Sequence, residues 1–213
     1  HETKITTCGE GGAILSNDPN LVERAVIIRE KGTNRKRFFR GQVDKYSWVD
    51  LGSSFLPGEL NAAFLMGQLE KFEEITLTRK KVCETYFDRL SNFENGAGIR
   101  LPVYPEGCEP NGHLFYMLMP SEAESSKFIA QMKSDAIMPP FPYVPLHSAP
   151  GGRQFARVHG SMAVTDELSE RLVRLPVFFS LGDEIERVLS SAQSQLENIQ
   201  TNLQAAPGSP QRI

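Results

Sequence analysis

Lys4 is the residue of this sequence best suited to covalent chemistry with a carbonyl group. A free lysine amine has a pKa of about 10.4 and is a poor nucleophile at neutral pH. A pocket that also holds a second positive charge lowers that value, and the amine can then form a Schiff base with an aldehyde. The glycines that follow, in GEGGA at 9–13, allow a tight turn in which backbone approaches a ligand closely. A solvated lysine on an open segment has the same spacing, so this short motif alone leaves both readings standing.

A second candidate is the basic stretch REKGTNRKRFFRGQVDK at 29–45, with seven Lys or Arg against two acids. Phe38 and Phe39 interrupt the charges, and the stretch runs directly into KYSWVDLGSS. Aromatic and cationic groups together suit a ring plus a phosphate, by stacking and by charge-assisted hydrogen bonds. A nucleic-acid groove uses the same residue types, and a plain charge run is a solvated surface. The third candidate is PYVPLH at 142–147, which places Tyr143 and His147 on a proline-stiffened loop. His147 can donate to a sugar or phosphate oxygen or move a proton, or the loop can simply be packed surface.

The elements that must position these groups follow from periodicity and capping. A glycine turn at 9–12 feeds a short apolar strand to about residue 17. Asp18 and Pro19 open a helix that exits at Gly32, with Leu21, Val22, Ala25, Ile27 and Ile28 on its apolar face. No helical period continues past Gly32, which predicts a long loop through residue 45. A helix from Pro57-Gly58-Glu59 carries apolar positions through Ile75 and resumes from Val82 to Leu90. Its length predicts a bend near Thr76–Thr78 that links two domains.

Beyond residue 98, GIRLPVY and HLFYMLM read as short strands. Ser121 caps a helix facing inward through Phe128, Ile129 and Met132. Residues 139–152 hold too many prolines for a helix or central strand. Thr165 or Asp166 caps a helix toward Leu172, and Gly182-Asp183 opens a last helix to about Leu203. Its inward positions are Ile185, Val188, Leu189, Ala192, Leu196 and Ile199. Interleaved strands and helices make the class α/β or α+β. The expected domains are 1–80, 81–204 and a disordered tail at 205–213.

Composition narrows the partners. The chain has 213 residues, 40% hydrophobic and 23% charged, with a formal net charge of −3. That balance argues for a phosphorylated small molecule over nucleic acid. No apolar run reaches membrane-spanning length. Cys8, Cys83 and Cys108 have neither metal nor disulfide spacing, which reads as reduced thiols of a cytoplasmic protein. The four histidines are scattered, and no metal site is readable.

In order, HETK…GEGGA, REKGTNR…FFRGQVDKYSWVDLGSSFLPGELNAAFLMGQLE, NGHLFYM, YVPLH and SERLVRLPVF resemble the DegT/DnrJ/EryC1/StrS sugar aminotransferases. The resemblance implies an α/β protein of the pyridoxal 5'-phosphate (PLP)-dependent transferase fold type I. Lys4 matches the lysine that holds PLP and then serves as the general base. Asn34 matches the asparagine that reaches across a homodimer to the neighbour's PLP phosphate. Tyr46, Trp48, Tyr143 and His147 fall in segments that line the sugar-nucleotide pocket. The implied partners are L-glutamate as amino donor and a dTDP-4-keto-6-deoxy sugar as acceptor.

Two positions depart from the family pattern: Ile5 stands where Asn often follows the lysine, and Pro142 where close relatives have His. The resemblance also implies a C-terminal half, without the N-terminal part of the large PLP-binding domain. On that basis residues 1–80 are the remainder of the large domain and 81–204 a small α/β domain. Two further readings stay open: a PLP-dependent sugar dehydratase, and a non-catalytic binding or dimerisation module. Dehydratases of the family carry histidine where this chain has Lys4.

Overall fold

The computed structural model describes residues 1, 3–140 and 142–205. It divides into two compact units, His1–Phe72 and Glu73–Ile213. The division lies after Phe72 rather than near residue 80, because the long apolar segment breaks into two helices at Lys71. The expected bend at Thr76–Thr78 is absent, and helix runs through those residues. The expected tail lies, from residue 206 onward, outside the described residues.

The first unit contains α1 (Pro19–Arg29), α2 (Arg35–Phe39) and α3 (Glu59–Glu70). The Asp18 carboxylate accepts the Asn20 N–H at 2.9 Å, and Pro19 occupies the first turn, where its missing N–H costs nothing. At the exit the Gly32 N–H donates to Ile27 O at 2.9 Å. The short helix α2 interrupts what periodicity predicts to be continuous loop. Five residues are too few to show a periodic face, so pattern reading misses such a helix. The expected strand at 9–17 does not form. No strand in the described part of this unit is available to pair with it, and Ile14 and Leu15 stand exposed.

The second unit is built on a two-stranded antiparallel sheet, β1 (Phe115–Leu118) against β2 (Leu172–Leu175). Phe115 faces Leu175 and Leu118 faces Leu172. The expected strand at 98–104 is reduced to a single bridge, Arg100 to Leu118, since Pro102 lacks the N–H to extend a ladder. Around the sheet lie α4 (Phe72–Leu90), α5 (Phe93–Gly96), α6 (Glu122–Ser134), α7 (Pro150–Phe155), α8 (Ala163–Arg171) and α9 (Glu184–Ala205).

Helix α9 buries Val188, Leu189, Ala192, Leu196 and Ile199, spaced to form one stripe. They join Tyr86 and Leu90 of α4, Phe115 and Met117 of β1, Phe128 and Met132 of α6, and Val173 and Leu175 of β2 in one core. The Tyr86 and Phe115 rings sit 5.2 Å apart, and the Tyr86 hydroxyl donates to Pro176 O at 2.9 Å. All these buried apolar side chains belong to the second unit; Ile75 is the first in chain order.

The exit of α6 has a defined geometry. The Ile137 N–H donates to Met132 O at 2.8 Å and the Ala136 N–H to Lys133 O at 3.0 Å. This is a Schellman motif, with buried Ile137 and Met132 as its apolar pair. Its left-handed position holds exposed Ala136, at φ 57°, where glycine carries no Cβ penalty. Ala136→Gly is therefore expected to raise stability by about 0.5–1 kcal/mol, read as a higher urea midpoint at unchanged slope.

Burial also sets an alkaline limit. It pushes the Cys83 thiol up to about 11 from its usual 9.0, and raises the Tyr86 phenol by the same cause. Unfolded chain loses these protons first, so the folded state binds more of them above pH 9. Stability is complete below the unfolded value and falls as pH rises toward 11. The thiol alone accounts for roughly 2–3 kcal/mol of that fall. Urea titrations between pH 8 and 11 measure it, and Cys83→Ala is expected to flatten the slope.

Candidate active site

Lys4 lies on an open turn, and its side chain is exposed. Its backbone N–H donates to His1 O at 3.1 Å. A primary amine so placed is reachable by a carbonyl compound, and the described residues of the chain do not enclose it.

Asn34, Tyr46 and Trp48 are brought together by a crossing of two backbone segments. The Asn34 N–H donates to Ser47 O at 3.1 Å, and the Ser47 N–H returns to Asn34 Oδ1 at 2.7 Å. Thr33 and Trp48 form an antiparallel bridge beside it. A backbone N–H can only donate, so it fixes Oδ1 as the atom facing Ser47. Nδ2 then points elsewhere, and it has no partner among the described residues. The result is a held amide whose two N–H groups have no partner among the described residues.

Next to it, Tyr46 packs edge-on against Phe38 at 5.8 Å, and the Arg35 guanidinium lies 5.1 Å over the Phe39 ring. Arg35 also donates to Glu30 at 3.0 Å, and Arg37 to Glu23 at 2.6 Å. Part of the basic stretch is thus neutralised locally. The Trp48 indole is 74% exposed.

This crossing depends on two glycines. Gly32 has φ 71°, and a Cβ there would meet Asp50 O at 1.8 Å. A Cβ on Gly52 would meet Gly32 N at 2.1 Å. With only hydrogen at both positions, Gly32 O accepts the Val49 N–H at 2.8 Å and the Asp50 N–H at 3.0 Å.

Tyr143 and His147 belong to the second unit. Tyr143 is 79% exposed on its loop. His147 is mostly buried, and its Nε2 lies 2.9 Å from Asp166 Oδ1. Asp166 is not the helix cap that spacing predicts. Helix α8 starts at Ala163, whose N–H meets Ser161 Oγ at 3.3 Å, and this leaves the Asp166 carboxylate for His147. Ser47 and Asp166 are the partners that sequence reading misses. Ser47 stands inside the quoted KYSWVD stretch, whereas no local signal ties residue 166 to residue 147.

The described residues make a mixed α/β arrangement, with an exposed lysine in the first unit and, in the second, a histidine paired with an aspartate. The chain belongs to the DegT/DnrJ/EryC1/StrS aminotransferase family, whose model matches residues 1–193. It is 24% identical over 195 residues to a dTDP-3-amino-3,4,6-trideoxy-alpha-D-glucose transaminase of Micromonospora megalomicea subsp. nigra, covering 90% of this chain and 49% of that protein. It is 26% identical over 202 residues to a dTDP-4-dehydro-2,3,6-trideoxy-D-glucose 4-aminotransferase of Saccharopolyspora spinosa, covering 92% of this chain and 50% of that one.

Among solved structures it resembles S. venezuelae DesV, with TM-score 0.73 and 22% identity over 86% of this chain and 46% of that one. It also resembles the aminotransferase TlmJ of Streptoalloteichus hindustanus, with TM-score 0.71 and 21% identity over the same shares. The fold is therefore that of these proteins over the matched part. The chain spans about half the length of the curated relatives it matches.

Proposed function

We propose that this chain is the C-terminal half of a PLP-dependent sugar-nucleotide aminotransferase that moves an amino group from L-glutamate to a dTDP-4-keto-6-deoxyhexose. The observation that carries this is the family match over residues 1–193, which includes Lys4. On this reading residues 1–72 complete a large PLP-binding domain and the second unit is the small domain. The finer assignment, formation of dTDP-4-amino-4,6-dideoxygalactose for a surface polysaccharide, rests on the quoted motifs. Relatives named for transfer at position 3 and at position 4 are both at hand.

The residues present fit the coenzyme in chemistry. Lys4 supplies the primary amine that attaches it, and the free Nδ2 of Asn34 supplies a donor for its phosphate across a homodimer. When bound, PLP supplies a carbonyl for condensation and a ring that takes up electrons from the adjacent carbon. Lys4 Nζ would then serve as the base that takes a proton from the donor's α-carbon. Each in its own unit, Tyr46 and Trp48 in the first and Tyr143 and His147 in the second are the candidates for sugar-nucleotide contact, through ring faces, phenol hydroxyls and a ring nitrogen. No helix among the described residues is long and apolar enough to cross a membrane.

The test is to load the full-length protein that contains this half with PLP, reduce with borohydride and map the modified peptide. A reduced adduct on Lys4 is expected. An adduct confined to other lysines, or none, overturns the assignment.

A further inference from the structure

Asp166 and His147 form a pair whose two members sit on fixed backbone. Pro145 O accepts the Ser148 N–H, the Ala149 N–H and the Ser148 hydroxyl, each at 3.1 Å, which winds the chain tightly around His147. Leu146 O lies only 1.6 Å from where a Cβ on Gly152 would stand, so this turn and α7 touch backbone to backbone. Asp166 is in the first turn of α8, and its N–H donates to Met162 O at 2.9 Å.

We propose that Asp166 is a positioning residue that holds the proton of His147 on Nε2, so that Nδ1 accepts a hydrogen bond from a ligand hydroxyl. This rests on the sugar-nucleotide reading above. An ionised carboxylate can only accept, so the ring nitrogen facing it must be the one that carries hydrogen. In the neutral ring the other nitrogen is then a bare lone pair. Nδ1 has no partner among the described residues and is not sealed from solvent. A lone pair cannot bind an ionised phosphate oxygen, since neither atom brings a proton. It can accept from a hydroxyl. A sugar nucleotide carries such hydroxyls on its hexose and on its pentose.

Two measurements test this. In the ¹⁵N-labelled protein, long-range ¹H–¹⁵N spectra of the neutral ring should show His147 protonated on Nε2. They should show both forms after Asp166→Ala. A proton on Nδ1 in the unmodified protein overturns the proposal.

Binding is then compared for a dTDP-hexose, dTDP and 3′-deoxythymidine diphosphate. Asp166→Ala should weaken the probe bearing the recognised hydroxyl by about tenfold. Asp166→Asn, whose amide oxygen still accepts from Nε2–H, should stay within about threefold of the unmodified protein. A loss seen with the dTDP-hexose alone places the hydroxyl on the hexose. A loss shared with dTDP but not with its 3′-deoxy analogue places it on the pentose. Equal losses for all three probes, or no loss for any, overturn the proposal. If the unmodified protein binds none of the probes, the sugar-nucleotide reading fails, and the spectra alone decide the role of Asp166.

Discussion

In the full-length enzyme of which this chain is proposed to be the C-terminal half, Lys4→Ala is expected to slow amino transfer by about four orders of magnitude or more. On the proposed function, one substitution would remove two roles of a single atom, Nζ: attachment of the coenzyme and proton transfer at the donor's α-carbon. Each positioned acid–base group contributes about 10²–10⁴-fold, and loss of the attachment adds to that. Lys4→Arg separates charge from nucleophilicity. A guanidinium stays protonated at any working pH and cannot condense with a carbonyl, so it should be as inactive as alanine. Formation of 2-oxoglutarate from glutamate is the measurement, because it isolates the half-reaction in which Lys4 acts. Activity in Lys4→Arg within tenfold of the unmodified protein would place the chemistry on another residue.

Gly32→Ala is expected to dismantle the crossing that holds Asn34. Alanine there faces both a left-handed backbone and the Asp50 carbonyl 1.8 Å from its Cβ, an overlap that no side-chain motion relieves. The Val49 and Asp50 amides lose their acceptor when the segments part. Backbone strain and overpacking together cost at least about 3 kcal/mol. Amide exchange should accelerate at Ser47, Val49 and Asp50 while the core amides of β1 keep their protection. Gly52→Ala should give the same pattern, since its Cβ strikes Gly32 from the other side. Unchanged exchange at Ser47 in both variants would show that the Asn34 amide is held by something else.

What the sequence reveals about this fold tracks the range of the forces involved. Helices α1 and α6 are legible because cap and apolar positions lie within a few residues of each other, and α9 because its apolar stripe is long. Asp18 and Ser121 cap as their spacing predicts. Strand β2 is not legible, because four residues ending before Pro176 give too short an alternation to separate from loop. The break at Lys71 has no Gly or Pro to announce it, and the apolar period continues on both sides. Of the candidate residues, Asn34, Tyr46 and Trp48 lie close in sequence and gather in the structure. The partnership of His147 with Asp166 spans nineteen residues and an intervening helix, and only tertiary structure joins them. The Gly32–Gly52 contact is equally silent in one sequence, where Gly32 reads only as a helix exit.

Helix α3 buries none of its side chains: Leu60 is 87% exposed, and Phe64, Met66 and Leu69 are open as well. A helix of twelve residues without a packed face has little intrinsic stability in water. Its persistence must therefore be borrowed from whatever comes to lie on it. Transplanting or miniaturising this protein would have to begin at the second unit, which carries its own interior, and grafting the lysine segment would require a host that brings its own hydrophobic roof.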